Sequence, residues 1–465
     1  MSREADAKKY ALITVCMASF LTPFMASSVN LAIPSIGKEF NSSALLLSWV
    51  VSSYLLATAA FLVPFGRFAD IAGRKKIFIW GLVIFSLSSL LCGLSWSVKA
   101  LILFRLLQGV GGAMIFSTAM AILTSVYPPQ ERGRVLGINI ATVYTGLSLG
   151  PVLGGAMNHY LGWQSIFYLC VLLCAATVII AAKKIKGEWA GAGGELFDTT
   201  GAFLYTVGLV LFMYGFSSIA TSGLAKLYLG IGLALIIIFV WHELRVEQPI
   251  LNIRLFSRNA AFAFSNLAAL INYSATFAVT FLLSIFLQVI MGFDSQISGL
   301  ILLSQPAIMA VLSPFAGTLS DRVEPRIVAS WGMALTTLGL ILFGFLSTNT
   351  PIWLVVANLA LLGTGFALFS SPNSNAIMGS VDKRFYGVAS STMGTMRMIG
   401  QAVSMATATL IIDLYVGNAQ LSTSNAGLIV KSVNTSFVVF AITCFGGIFA
   451  SLSRGKIIAG TQNET

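Results

Sequence analysis

A series of apolar runs along the whole chain is the feature that most limits how this sequence folds. Each run holds about 20 residues, which is enough for a helix across a bilayer core of about 30 Å. Over 465 residues the chain is 57% hydrophobic and only 9% charged, whereas soluble domains carry about a quarter charged residues. The alternating pattern of a membrane β-barrel is absent, so closed helices are the expected structure. The sequence therefore predicts an all-α integral membrane protein that has the lipid bilayer as a partner.

The apolar runs predict fourteen membrane-spanning helices. Between the sixth and seventh spans, the polar stretch at 183–198 (KKIKGEWAGAGGELFD) is expected to be a linker rather than a domain. We expect the spans at 11–34, 45–66, 77–96, 99–126, 134–157, 163–183, 199–217, 224–242, 260–290, 297–317, 327–346, 351–379, 386–414 and 434–454.

Basic residues are distributed unequally between the two sides that these spans define. With the amino terminus in the cytoplasm, the cytoplasmic segments hold 21 of the 27 Lys and Arg, and the outer segments hold four. This bias follows the positive-inside rule. It predicts a multi-pass protein of the plasma membrane with both termini in the cytoplasm. It also explains the net charge of +11 without a nucleic-acid partner.

The segment GRFADIAGRKK joins the second and third spans and carries one Asp and four basic residues. It resembles the cytoplasmic loop motif of the major facilitator superfamily, which it matches at Gly66, Asp70, Gly73, Arg74 and Lys75. The resemblance implies a cytoplasmic gate formed by Gly66, Asp70, Gly73 and Arg74. In that gate the Asp70 carboxylate would face the amino-terminal end of the span at 386–414, near Tyr386, where the helix dipole is positive. The alternative is a charged loop that only fixes orientation.

A faint repeat divides the chain. PFGRFAD at 64–70 is echoed by PFAGTLSD at 314–321, so that Gly66 matches Gly317 at an offset of 251 residues. In this superfamily, two parallel six-helix bundles enclose the substrate path. The resemblance and the offset predict an amino-terminal bundle at 1–186, a linker with two additional spans at 187–258, and a carboxy-terminal bundle at 259–465.

Two further motifs narrow the resemblance. LILFRLLQGVGGA at 101–113 is similar to a superfamily motif, and GLSLGPVLGG at 146–155 is similar to a motif of its drug antiporters. With fourteen spans, the chain resembles the fourteen-span drug:proton antiporters, a multidrug efflux branch of the superfamily.

The second of these motifs places four glycines and one proline in span 5. We expect the glycines to strip one helix face bare so that a neighbouring backbone approaches closely. The proline removes an internal hydrogen bond and permits a bend. The five residues predict a hinge, although a purely structural close-packed helix explains the same pattern: Gly146, Gly150, Pro151, Gly154 and Gly155.

The first span departs from the antiporter pattern. At 24–34 the chain reads FMASSVNLAIP, and Met25 stands where that branch carries an Asp tied to proton coupling or cation recognition. Of the 16 Asp and Glu, Asp413 is the one we place inside a span, close to the outer interface. The sequence therefore predicts no acid at the middle of the membrane.

Two arginines fall within spans. Arg397 is expected near the midplane and Arg105 nearer the outer side. A charge at the bilayer centre costs about 2.5–3.5 kcal/mol, so each should face the cavity or be held by carbonyls and by amides such as Gln108. The candidate substrate-binding or coupling residues are Met25, Asn30, Tyr54, Arg105, Gln108, Tyr144, Gln305, Asn373 and Arg397.

These observations predict a secondary active transporter that exports amphipathic organic compounds by alternating access, driven by an ion gradient in which the proton is the expected ion. We expect the protein to be a monomer. We also expect no enzymatic activity, cofactor or metal, because no nucleotide-binding loop or metal-ligand spacing occurs. With two arginines in the spans and no acid at the middle of the membrane, anionic or neutral substrates should be handled better than dications. The alternatives are a facilitator or exchanger of organic anions or metabolites without proton coupling, or a non-transporting sensor on the same fold.

Overall fold

The computed structural model describes residues 2–185, 187–219, 222–254, 256, 259–381, 386–417 and 419–454. Over these residues the chain is helical and contains no strand beyond an isolated bridge. The helices in chain order are α1 (Ser2–Phe40), α2 (Ala44–Ala72), α3 (Arg74–Gly93), α4 (Val98–Val126), α5 (Pro129–Leu161), α6 (Gln164–Lys184), α7 (Thr199–Ser217), α8 (Ala225–Glu243), α9 (Ala260–Thr276), α10 (Val279–Ile285), α11 (Ser295–Leu302), α12 (Ser304–Arg322), α13 (Pro325–Phe343), α14 (Ile352–Gly379), α15 (Tyr386–Tyr415) and α16 (Ala426–Leu452).

The helices coincide with the predicted spans. In the part of the chain that the structure describes, thirteen helical segments are long and apolar enough to cross a membrane. The fourteenth predicted span, 134–157, corresponds to α5, which is not among the thirteen. Many helices run beyond the predicted ranges, since a helix does not end where its apolar stretch ends. The prediction of an all-α membrane protein is confirmed.

Two predicted spans are interrupted. The span predicted at 260–290 consists of α9, α10 and a π-helical turn, Phe286–Ile290. At its break, the Ala278 N–H is satisfied by the hydroxyl of Ser404 at 3.0 Å. The span predicted at 297–317 is divided into α11 and α12 just before Pro306, which has no N–H to donate to the Leu302 carbonyl.

Matching glycine crossings relate the two parts of the chain. A Cβ on Gly81 of α3 would lie 3.1 Å from the Gly111 carbonyl oxygen of α4. A Cβ on Gly332 of α13 would lie 2.6 Å from the Gly365 carbonyl oxygen of α14. Gly81 and Gly332 are separated by 251 residues, which is the repeat offset. The α3–α4 crossing is therefore repeated by α13–α14.

The two additional helices stand at one flank. α7 packs against α2 and α15, and its Tyr205 hydroxyl donates to the Ala59 carbonyl oxygen at 3.0 Å. α8 packs mainly against α7 and exposes large apolar side chains such as Ile237 and Trp241. This exposure suits a surface that faces lipid.

We call the end of the molecule at which α2 meets α3 the basic side, because Arg74, Lys75 and Lys76 at the start of α3 lie there. The end that carries the α1–α2 loop at 41–43 is called the far side.

Candidate functional site

A central cavity lies between the amino-terminal and carboxy-terminal parts of the chain and has a volume of about 130 Å³. It is lined by α1, α2, α4 and α5 on one side and by α9, α10, α11, α12, α14 and α15 on the other. Its aromatic lining includes Phe116, Phe277 and Phe366. Its polar lining includes Asn30, Tyr54, Tyr144, Tyr273, Gln305 and Gln401.

Arg397 is the one charged residue in the described lining of this cavity. It lies within α15, and its guanidinium carbon is 4.7 Å from the centre of the Phe116 ring. Its Nε has no hydrogen-bond partner among the described residues. A cation–π contact holds the side chain in place, and no acidic side chain among the described residues pairs with its charge. The cavity therefore presents a positive group that an anion can neutralise.

Neutral polar groups complete the lining. The Tyr144 hydroxyl of α5 lies 2.9 Å from the Ser370 hydroxyl of α14, so one hydrogen bond crosses between the two parts of the chain. The amides of Gln305 and Gln401 form no hydrogen bond with the described residues and lie on the same cavity wall as Arg397. Such groups can orient an organic molecule, because each offers both donors and acceptors.

Arg105 and Gln108 do not line the cavity. Arg105 is fully buried, its Nε donates to the Val50 carbonyl oxygen at 3.0 Å, and a second nitrogen donates to Gln108. The Gln108 amide donates to the Ser89 hydroxyl at 2.7 Å. The Arg105 guanidinium lies 4.4 Å from the centre of the Tyr54 ring. Arg105 thus contacts the cavity residue Tyr54 without lining the cavity itself. This agrees with the alternative that backbone carbonyls and amides hold the arginine.

Met25 and Asn373 are also absent from the cavity lining. Met25 is fully buried in the hydrophobic core. The Asn373 amide donates to the Ser265 carbonyl oxygen at 3.1 Å and ties α14 to α9. Of the nine candidate residues, the structure brings five together around the cavity: Asn30, Tyr54, Tyr144, Gln305 and Arg397.

A helical register explains both the misplaced Met25 and the lining residues that sequence reasoning missed. Thr22, Ala26 and Asn30 follow each other at intervals of four on α1, and all three line the cavity. Residues spaced by four share a helix face, whereas Met25 is rotated by about 100° from Ala26. Counting backwards from Asn30 in steps of four would have found Thr22. The other small hydroxyl residues missed are Ser27, Thr58, Thr276 and Thr280.

The predicted gate residues lie together at the basic side. Arg74 Nε donates to the Asp70 carboxylate at 2.7 Å, and its Nη1 donates to the Ser125 hydroxyl at 2.6 Å. Gly73 has φ +113°, a conformation that favours glycine. A Cβ on Gly66 would lie 3.5 Å from Ser117, so α2 passes close to α4 here. The predicted partner near Tyr386 lies outside the described side chains.

The linker at 187–198 forms a strap across this loop. The Glu188 carboxylate accepts from the backbone N–H groups of Lys75 at 2.7 Å and Lys76 at 3.2 Å, and so caps the amino terminus of α3. Glu195 forms an ion pair with Arg67 of α2. Sequence reasoning missed this arrangement, although the acids of the linker complement the basic loop in charge.

The α5 glycines face two neighbours, which corrects the prediction of a single bare face. A Cβ on Gly146, Gly150 or Gly154 would lie 2.5–2.6 Å from atoms of α1. A Cβ on Gly155 would instead lie 2.4 Å from the Ser295 carbonyl oxygen at the start of α11. The reason is geometric: the first three glycines are spaced by four, and Gly155 is rotated by about 100°.

The contact between α5 and α11 belongs to a closure on the far side. The Ser295 hydroxyl donates to the Gly155 carbonyl oxygen at 3.0 Å. A Cβ on Gly299 would lie 2.1 Å from the Pro151 carbonyl oxygen. Between α1 and α10, the Ser284 hydroxyl donates to the Asn30 carbonyl oxygen at 2.7 Å. Close backbone packing therefore separates the cavity from the far side.

Repeated helix crossings around a membrane-embedded cavity define a helical membrane transporter. The chain belongs to the Major Facilitator Superfamily, whose sequence profile matches residues 15–405 and, in a second overlapping match, 265–456. The chain is 28% identical over 446 residues to the riboflavin transporter RibZ of Clostridioides difficile, covering 96% of this chain and 97% of that protein. It is 31% identical over 405 residues to the multidrug resistance protein Stp of Mycobacterium tuberculosis, covering 85% and 74% of the two chains.

Solved structures share the fold. A bacterial homologue of the human lysosomal transporter Spinster, in an inward-facing and unoccupied conformation, aligns with a TM-score of 0.68 at 15% identity over 96% of this chain and 97% of that one. A peptide transporter, POT, aligns with the same TM-score and identity over 97% and 96%. The predicted membership of this superfamily, and the resemblance to its drug efflux permeases, are confirmed.

Proposed function

We propose that this chain is a secondary active transporter that exports anionic or neutral amphipathic organic compounds through the central cavity by alternating access. The observation that carries the proposal is Arg397, the one charged group in the described lining. An anion entering this apolar site neutralises a charge that has no acidic partner among the described residues. A dication would meet a like charge and lose its hydration without compensation.

The lining supports organic substrates rather than inorganic ions. Ligand sites for organic molecules are mostly apolar and have a few polar groups that fix orientation. Here the lining combines aromatic side chains such as Phe116 and Phe366 with the amides of Gln305 and Gln401 and with tyrosine hydroxyls. The relatives named for riboflavin and for multidrug resistance also support small organic molecules as the substrate class.

An ion gradient, with the proton as the ion, is the proposed energy source. A second candidate function is exchange or facilitated transport of organic anions without proton coupling. The observation that favours it is the lining itself, which contains no Asp or Glu among the described residues. A proton-coupled mechanism would therefore need a titratable group elsewhere in the protein.

The proposed orientation places the basic side and both termini in the cytoplasm of a cell whose plasma membrane holds the protein. The three parts would be 1–186, 187–258 and 259–465, although residues 186 and 258 lie outside the described chain. To open toward the far side, α5 would separate from α11 and bend at Pro151. The Asp70 loop would then contact the carboxy-terminal part and act as the gate.

The test is transport by purified protein in liposomes under an imposed pH gradient, with anionic, neutral and dicationic probes of similar size. We expect uptake of the first two and little of the third. Arg397→Gln should reduce anion transport more than neutral transport. The control is Arg245→Gln, because Arg245 is exposed and stacks on Trp241 outside the cavity. Strong dication transport that is insensitive to Arg397→Gln would overturn the proposed charge selection.

Proton coupling has its own measurement. A pH-sensitive dye inside the liposomes should report proton movement that starts when substrate is added and stops when substrate is removed. Equal transport rates with and without the gradient, and no dye response, would favour the exchanger.

A further inference from the structure

Three ionisable side chains meet at the basic-side end of the additional helices, away from the central cavity. Asp198 caps the amino terminus of α7, where its Oδ1 accepts from the Gly201 N–H at 2.8 Å. The His242 Nε2 of α8 lies 3.0 Å from the Asp198 Oδ2. Glu243, the last residue of α8, lies beside them. The transport step proposed above uses none of the three.

Glu243 is buried, and only one of its two carboxylate oxygens has a hydrogen-bond partner among the described residues. Only 1% of the residue is exposed. Its Oε2 accepts from the Leu251 N–H at 2.8 Å, but its Oε1 has no hydrogen-bond partner among the described residues. A buried carboxylate oxygen without a partner is rare, because desolvation is not compensated.

The unpartnered oxygen faces Asp198. A Cβ on Gly201 would lie 2.5 Å from Glu243 Oε1 and 2.3 Å from Asp198 Oδ2. A side chain at Gly201 would collide with both carboxylates, so the glycine leaves room for the two groups on the same side of α7. Two buried carboxylates that face each other repel when both are ionised, whereas one proton between them forms a hydrogen bond.

We propose that Asp198 and Glu243 hold one proton between them and form a proton-binding site in the additional helix pair. With the proton bound, Glu243 Oε1 donates to Asp198 Oδ2, and the last unsatisfied oxygen of the cluster gains a partner. When the proton leaves to water on the basic side, both carboxylates are negative. The inference does not depend on which solute crosses the cavity.

The other groups around the pair have defined positions. His242 approaches Asp198 from α8 and adds a positive charge when it is protonated. The Leu251 N–H approaches Glu243 from the segment after α8, and Arg254 donates to the Leu244 carbonyl oxygen at 2.9 Å in the same region. The pair therefore titrates beside one imidazole, and its proton binding should depend on His242.

The site is connected to the strap. Leu196 N–H donates to the Gln248 side chain at 2.9 Å, which joins the strap to the segment that Glu243 holds through Leu251. One residue earlier, Glu195 pairs with Arg67 of α2. Loss of the proton should therefore loosen residues 244–251 first and the strap next.

Infrared difference spectroscopy of the purified full chain in lipid discs tests the site directly. A protonated carboxylic acid has a carbonyl stretch that a carboxylate lacks. In the wild type we expect such a band to disappear as the pH rises, and Glu243→Gln should abolish it. Glu247→Gln, at an exposed acid four residues along, and Asp413→Asn, at a buried acid in α15, should retain it. A band that persists in Glu243→Gln, or the absence of a titrating band in the wild type, would overturn the proposal.

Hydrogen–deuterium exchange keeps the proposal testable if Glu243→Gln does not fold. After correction for intrinsic rates, residues 187–198 and 244–251 of the wild type should exchange faster above the titration than below it, while α13 stays constant. Asp198→Asn should remove the pH dependence, because an amide donates to Glu243 without a proton from solvent. Equal protection of these segments at all pH values would contradict the inference.

Discussion

The two halves of the repeat share their helix crossings but differ at the loops that follow. Gly81 over Gly111 and Gly332 over Gly365 both place backbone against backbone. At the α2–α3 loop, the strap packs against the chain, and its Glu188 caps the amino terminus of α3. The described contacts of the corresponding α12–α13 loop include a single ion pair, Glu324 with Arg326 at 2.9 Å.

The difference separates two kinds of constraint. Where two backbones touch, any side chain larger than a hydrogen collides. Only glycine fits there, and both halves contain it. Where side chains hold a loop, many combinations of charge give similar energies, because exposed ion pairs contribute only about 0.2–1 kcal/mol each. Backbone contacts therefore recur at the repeat offset, whereas the loop contacts that the structure describes differ between the two halves.

The largest expected effect is at the crossings. Gly111→Val and Gly365→Val should each abolish folded protein, because a Cβ at these positions would lie 2.6 Å from neighbouring backbone or side-chain atoms. Size-exclusion profiles and thermal unfolding would measure the loss. Gly230→Val and Gly446→Val are the controls, since no atom apart from the nearby backbone of the same helix lies within 4 Å of a Cβ at either position. If only one crossing proves sensitive, the two halves are not equivalent in packing.

A second prediction concerns the contact between the parts rather than within one of them. Gly155→Ala should fold but shift the protein toward opening on the far side, because its Cβ would lie 2.4 Å from the Ser295 carbonyl oxygen. Distances between spin labels at Asn41 and Asn425 should increase relative to the wild type. Transport should fall by at least tenfold, since closure on the far side is required in each cycle. Unchanged distances would show that α11 shifts locally while the far side stays closed.

A third prediction compares the two loops. Asp70→Asn should reduce transport by about 1.4–5-fold, which corresponds to about 0.2–1 kcal/mol for the loss of its half-buried, solvent-accessible ion pair with Arg74. Glu324→Gln in the second loop should change transport less, because no strap depends on it. Initial rates in liposomes at equal protein density would measure both. Equal losses in the two variants would remove the distinction between the loops.

The smallest effect is expected at Met25. Met25→Leu should leave the transport rates of anionic and neutral probes nearly unchanged, because the residue has no surface on the cavity and the swap conserves volume. Ala26→Leu, one residue along, should reduce both rates, since it fills lining space. A change in charge selection in Met25→Leu would place the first helix in a different register.

The sequence predicted the helices well because apolar length is a local property. It predicted contacts less well where they depend on rotation or on distant residues. Met25 and Ala26 look alike as apolar neighbours, yet only the second lines the cavity. The cap that Glu188 provides for α3 joins residues more than a hundred positions apart, and no local pattern indicates it. Arg397 was identifiable because an arginine in an apolar run needs an explanation at its own position.

The contacts at the two ends of the molecule rely on different chemistry. On the far side the contacts are hydroxyls, amides and carbonyls, such as Ser284 with Asn30 and Ser295 with Gly155. On the basic side they are ion pairs and charged caps, such as Arg74 with Asp70. Dissolved salt weakens the attraction between solvent-accessible charges, with a screening length of about 10 Å at 0.1 M that shortens as salt rises, and has little effect on neutral hydrogen bonds. A rise in ionic strength should therefore weaken the contacts on the basic side, while the hydrogen bonds on the far side keep their strength.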